Sequence, residues 1–113
     1  MRVSFEGIGE SVVTFFNSET DSAGVGVPVK MSGNGEVSAC AAGERFFGVS
    51  IISKEGFAAI QTDGYVEIAY SGAAPEPGFA RLAANGDGSV RVDAAGGEFL
   101  IINVNDETLG FML

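Results

Sequence analysis

Asp63-Gly64-Tyr65-Val66-Glu67-Ile68-Ala69-Tyr70 holds the two signals from which the fold is read. A turn-forming pair, Asp-Gly, leads into a strict alternation. Val66, Ile68 and Tyr70 fall on one side of an extended chain, and Tyr65, Glu67 and Ala69 on the other. A period of two, apolar against mixed, is what an antiparallel strand with one buried face requires.

The same grammar runs outward in both directions. Asn34-Gly35 and Asn85-Gly86 repeat the turn signal. Such pairs tolerate the positive φ angles of a type I′ turn, whose twist matches the strands it joins. Upstream, 11–16 reads as a strand and 17–26 as a polar loop, and 27–31 pairs with 37–41 across Asn34-Gly35. Strands at 46–53, 57–62 and 65–70 are expected to form a three-strand meander, turning at Lys54-Glu55-Gly56 and at Asp63-Gly64. Downstream, 79–83 pairs with 89–93 across Asn85-Gly86-Asp87-Gly88, and 98–104 with 108–113 around Asn105-Asp106-Glu107. Pro75 and Pro77 keep 71–78 out of any central strand, because proline removes ladder donors. About ten short strands with little or no helix predict an all-β fold, a small antiparallel barrel or sandwich built from hairpins. Residues 1–10 read as an N-terminal arm or first edge segment and 11–113 as a single β domain. No internal repeat of fixed period is apparent.

Composition narrows the function classes. A chain of 113 residues can bury roughly two-thirds of its unfolded surface without disulfides or metals. Cys40 is the single cysteine, so no intrachain disulfide forms, and within Ser38-Ala39-Cys40-Ala41-Ala42 it reads as a small buried hydrophobe. A lone thiol fits a reducing cytoplasm. No stretch is long enough to span a bilayer, and residues 1–7 lack the apolar core of a signal peptide. Six basic residues against fifteen acidic ones leave a net charge of −9. Nucleic acid is therefore not an expected partner, since that affinity comes from Lys and Arg neutralising phosphates. Nine Phe in a chain that is 46% hydrophobic predict a buried interface between copies. Phe16, Phe47 and Phe79 are the candidates for it.

The vocabulary of catalysis is thin. Without histidine there is no Ser-His or Cys-His pair and no imidazole base. Zinc also loses its commonest ligand. Paired carboxylates such as Asp87/Asp93 and Asp106/Glu107 stand beside Gly or Asn in expected turns, where acidic residues serve the backbone. A calcium loop beginning at Asn85 fails at its sixth and twelfth places, which hold Val90 and Gly96. Gly24-Val25-Gly26 is followed by no helix and makes a poor phosphate loop. Val29-Lys30-Met31 resembles the lysine of biotinyl and lipoyl carrier domains in three residues only, and reads better as a solvated strand lysine. No catalytic, cofactor-binding or metal-ligating residue is assigned, and the chain is not expected to be an enzyme.

A family likeness adds to this reading. Gly26-Val27-Pro28-Val29 precedes the Gly33-Asn34-Gly35 turn, and Ala42-Gly43-Glu44-Arg45-Phe46-Phe47-Gly48-Val49 follows it. Asp63-Gly64-Tyr65-Val66 and Tyr70-Ser71-Gly72-Ala73-Ala74-Pro75 come next, then Leu82-Ala83-Ala84-Asn85-Gly86-Asp87-Gly88 and the strand Phe99-Leu100-Ile101-Ile102-Asn103-Val104. In this order of motifs the chain resembles the small β-rich head decoration, or capsid-cementing, proteins of tailed phages and prophages of Gram-positive bacteria. The resemblance implies a homotrimer on the virion exterior, assembled in the bacterial cytoplasm, with the major capsid protein as its partner. A trimer seated on several subunits makes weak single contacts tight through effective concentration. Phe5 and Ile8, in the arm, are the expected capsid contacts, adding a strand to an exposed capsid edge. The competing reading is a surface-displayed ligand- or carbohydrate-binding β module. Tryptophan is absent, and Tyr65 and Tyr70 are the only tyrosines it could use as stacking platforms.

Overall fold

The computed structural model describes residues 11–20 and 22–113, and among them there is no helix. Five strands make up the first half: β1 (Ser11–Asn17), β2 (Pro28–Gly33), β3 (Glu36–Ala39), β4 (Gly48–Lys54) and β5 (Phe57–Asp63). Five more follow: β6 (Tyr65–Ala69), β7 (Gly78–Ala84), β8 (Val90–Val92), β9 (Gly97–Val104) and β10 (Thr108–Met112). The first five close into a barrel in the order β1-β3-β2-β4-β5, and the rest form a sheet ordered β6-β10-β9-β7-β8. The all-β expectation holds, with the barrel realised in the first half.

Alternation decides what is buried. In β6, Val66 and Ile68 face inward while Glu67 and Ala69 are exposed. The barrel interior holds Val29, Val37, Ala58 and Ile60, with Phe15, Val27 and Phe47 packed against them. The second interior is larger and includes Leu82, Val90, Ile101, Leu109 and Phe111. Cys40, Phe46 and Val49, all from the first half, complete it. Phe46 lies parallel to Phe99 at 5.0 Å and meets Phe111 edge-on at 6.1 Å. Each large apolar side chain so buried contributes about 1.5–3 kcal/mol.

Three expectations need correction. First, Asp63-Gly64 is not a hairpin turn and 46–70 is not a meander. Both edges of β5 are already taken, Ile60 pairing with Val13 of β1 and with Ser50 of β4. Having no edge to join, β6 pairs with β10 instead, from Tyr65↔Met112 to Ala69↔Thr108. Gly64, at φ +93°, turns the chain out of the barrel. Gln61 Nε2 braces the exit by donating to the carbonyls of Asp63 (3.0 Å) and Tyr65 (3.1 Å). Second, the turns are not type I′. That geometry needs two left-handed residues, and among the described residues only glycines have positive φ; Gly35 does, at +67°, and Asn34 does not. Third, the barrel is not wholly antiparallel, because β1 runs parallel to β3 through Phe16↔Glu36 and Asn17↔Val37.

The two halves share one topology. In β2–β3 the pairs are Val29↔Ala39, Lys30↔Ser38 and Met31↔Val37; in β7–β8 they are Leu82↔Val92, Ala83↔Arg91 and Ala84↔Val90, at a constant offset. The parallel contact Asn17↔Val37, with Ser18 N–H donating to Val37 O at 2.9 Å, reappears as Tyr70↔Val90, with Ser71 N–H donating to Val90 O at 2.9 Å. That bridge brings β6 and β8, the two margins of the second sheet, together. A bulge on β4 at Ile51 has its counterpart on β9 at Ile102. Once aligned, the sequence agrees. Gly33-Asn34-Gly35-Glu36-Val37 matches Gly86-Asp87-Gly88-Ser89-Val90, and Ala41-Ala42-Gly43 matches Ala94-Ala95-Gly96.

No fixed period is visible because one segment breaks it. Gly43 and Gly48 are separated by Glu44-Arg45-Phe46-Phe47, whereas Gly96 and Gly97 are adjacent. This insertion joins the halves. Phe46 enters the second interior and Phe47 the first. Ala84 N–H donates to Glu44 O at 3.0 Å, and Gly43 N–H donates to Ala84 O at 2.9 Å.

Candidate interaction surfaces

Residues directly paired across strands point to the same face, so the registers identify what each sheet shows to solvent. On the outer side of the barrel, Phe16 pairs with Phe57 and Phe57 with Lys54; beside that row, Thr14 pairs with Ala59 and Ala59 with Ile52. Phe16 is 68% exposed, Phe57 45% and Ile52 50%. The second sheet shows a row of its own. Phe79 pairs with Leu100, Leu100 with Met112 and Met112 with Tyr65. Phe79 is 73% exposed, and the charged pair Arg81↔Glu98 runs alongside. Adjacent strands lie only about 4.8 Å apart, so each row is a continuous apolar strip and not a scatter of single residues.

Of the interface candidates, Phe16 and Phe79 stand in these strips. Phe47 does not. It is half-buried in the barrel interior, edge-on to Phe15 at 5.7 Å and 75°. The candidate capsid contacts Phe5 and Ile8 lie outside the described residues. Phe57, Ile52 and Leu100 escaped sequence reasoning because β4, β5 and β9 carry apolar residues on both faces. Only the registers tell inside from outside there. Tyr65 and Tyr70 are both half-buried. The Tyr65 hydroxyl donates to Glu67 Oε1 (3.0 Å) and accepts from Asn103 Nδ2 (3.0 Å), and the Tyr70 hydroxyl donates to Asn105 O (2.8 Å).

The polar features are structural in their bonding. A concavity of about 600 Å³ lies between Asn17, Ser18, Glu19, Ser22, Ser53 and Lys54. Its buried groups satisfy one another: Asn17 Oδ1 accepts from Ala23 N–H at 2.9 Å, and Asn17 Nδ2 donates to Ala23 O and Ser53 Oγ, each at 3.2 Å. Ser53 Oγ donates to Ala23 O at 2.6 Å. These bonds pin the polar loop across one barrel end.

Cys40 is buried, and its thiol donates to Arg45 O at 3.8 Å. Burial, aided by the charge of Glu44 and opposed by that of Lys30, pushes the thiol pKa up to about 11. A nucleophile needs the opposite shift. Glu44 is held below its ordinary value, first by the ammonium of Lys30 at 2.7 Å and then by Ala41 N–H. Asp87 is lowered by the hydroxyl and N–H of Ser89. Asp93 is lowered by Ala95 N–H and, less strongly, by Arg91. Among the described residues, no three His, Cys, Asp or Glu groups gather where they could hold a metal ion.

No protein-family model matches this chain, and no curated protein matches it.

Proposed function

We propose that this chain is a structural protein of a phage or prophage particle, one that decorates and stabilises the capsid from outside as a homotrimer. The observation that carries the reading is the pair of apolar strips on a strand-built body of net negative charge. Phe16 and Phe79, the most exposed large apolar residues among the described ones, sit on paired strands that hold them rigidly. Association between copies needs such stiff, exposed anchors, because little side-chain freedom is lost when they are covered. The motif order from Gly26 to Gly88 supports the same reading. A net charge of −9 suits an exterior component with no phosphate to neutralise.

Clamping a shell makes or breaks no covalent bond. Contacts with several capsid subunits act together, so their free energies add while the entropy of docking is lost once. The partner is the major capsid protein, and assembly takes place in the bacterial cytoplasm. The arm carrying Phe5 and Ile8 supplies backbone pairing to a capsid strand.

The test uses empty capsids assembled from a major capsid protein, sought among the genes that neighbour the one for this chain. The purified protein is expected to cosediment with them at a saturating stoichiometry and to raise their melting temperature. Deleting residues 1–10 is expected to abolish cosedimentation while leaving the number of chains per particle in solution unchanged. A wild-type protein that stays in the supernatant at every ratio would overturn the reading.

A further inference from the structure

The repeated fold supplies its own control. Register makes Ala69 the counterpart of Phe16, Thr108 that of Phe57 and Asn103 that of Ile52. The same outer-face positions therefore carry small or polar side chains in one half and large apolar ones in the other. Building the sheet does not require the apolar choice. The second strip differs from its twin in another way: Met112 has the polar Gln61 as its counterpart, and Leu100 has Val49, which is buried in the second interior. The first strip is thus absent from the second half, the row matching the second strip is covered in the first half, and the two exposed faces are unlike.

We infer that copies of this chain associate head to tail, the Phe16, Phe57 and Ile52 face of one copy seating on the Phe79, Leu100 and Met112 face of the next. A face packed on itself about a two-fold axis would cover one strip and leave the other wet. A head-to-tail contact covers both with a single kind of interface, and closes into a ring when the rotation permits. Charge favours the same pairing. Two molecules of net charge −9 repel, so contact belongs where the surface is locally balanced. The first strip ends on Glu36 on one side and Lys54 on the other, and the second is flanked by Arg81 and Glu98. Lys54 meets Glu98 of the next copy, and Glu36 meets its Arg81. This inference rests on the association of copies contained in the functional reading above, and it is separable from capsid binding because it is measured with no shell present.

The test uses two double variants of the full chain. Phe16→Ala with Phe57→Thr installs the side chains found at the matched positions of the other half. Phe79→Ser with Leu100→Thr erases the second strip. Circular dichroism confirms folding, and light scattering gives the mass. The wild type is expected at a multiple of 11.6 kDa, and each variant alone at the single-chain mass. An equimolar mixture of the two is expected to give a dimer that grows no further, because one usable face remains on each. A monomeric wild type, a variant that keeps the wild-type mass, or a mixture that stays monomeric would each overturn the inference. Should the apolar changes unfold the chain, Lys54→Glu and Arg81→Glu block the same faces by charge, and the same outcomes decide.

Discussion

Gly110 shows how closely single residues are fitted here. A Cβ placed on it would overlap the hydroxyl of Tyr65, whose ring lies across the β10 backbone and is held there by Glu67 and Asn103. In the first half the counterparts of Gly110 and Tyr65 are Ala59 and Val12, so the side chain is present where the ring is not. Gly110→Ala is expected to cost about 1–3 kcal/mol by overpacking. Adding Tyr65→Val is expected to restore most of that loss, a coupling that a double-mutant cycle in urea would measure. Cys40 gives a second prediction at this scale. With its pKa near 11, about one thiol in ten thousand is ionised at pH 7, and the thiolate is the reactive form. A thiol reagent is expected to label the protein only after denaturation. Labelling of the native chain within minutes would contradict the burial described here.

At the scale of elements, the turns and the 44–47 insertion carry the pH dependence. Glu44, Asp87 and Asp93 all have folded-state pKa values below their ordinary ones. Groups shifted this way contribute stability that is full above the unfolded value, about pH 4, and lost as pH falls through the lowered values. The melting temperature is expected to be flat from about pH 7 to 5 and to drop below about pH 4, with Glu44→Gln flattening part of that drop. Phe46 is the other lever, since it reaches from the first half into the aromatic cluster of the second. Phe46→Ala is expected to destabilise by about 3–5 kcal/mol. The hairpins β2–β3, β7–β8 and β9–β10 were legible in the sequence because each is local: two apolar runs and a turn residue suffice. The partner of β6 was not, because it depends on β1 occupying the edge of β5, a decision made by residues far away in the chain. The repeat was hidden for a related reason. Its matching residues are mostly Gly, Ala and Val, common in any small sheet protein, and the insertion shifts everything after it.

For the whole molecule, what the sequence disclosed about the site was partial. Abundant Phe signalled exposed apolar surface, and Phe16 and Phe79 do stand in it; Phe47 was indistinguishable from them until packing placed it inside. Pattern alone cannot assign faces where both sides of a strand are apolar. The shared second interior has a consequence for cooperativity. Cys40, Phe46 and Val49 belong to one half by sequence and to the other by burial, so the second interior is incomplete without the first half, whose own interior draws only on first-half residues. Unfolding in urea is expected to be a single transition, coincident by circular dichroism and by tyrosine fluorescence. Two separated transitions would mean that the insertion does not couple the halves.

Among the described strands the main chain passes from one half to the other once, at Asp63-Gly64, between the end of β5 and the start of β6. A nick at that peptide bond interrupts no ladder, and the aromatic stack around Phe46 still spans the break. The gene could therefore be divided there into two open reading frames whose products find each other and reconstitute the parent, a natural split point for fragment complementation.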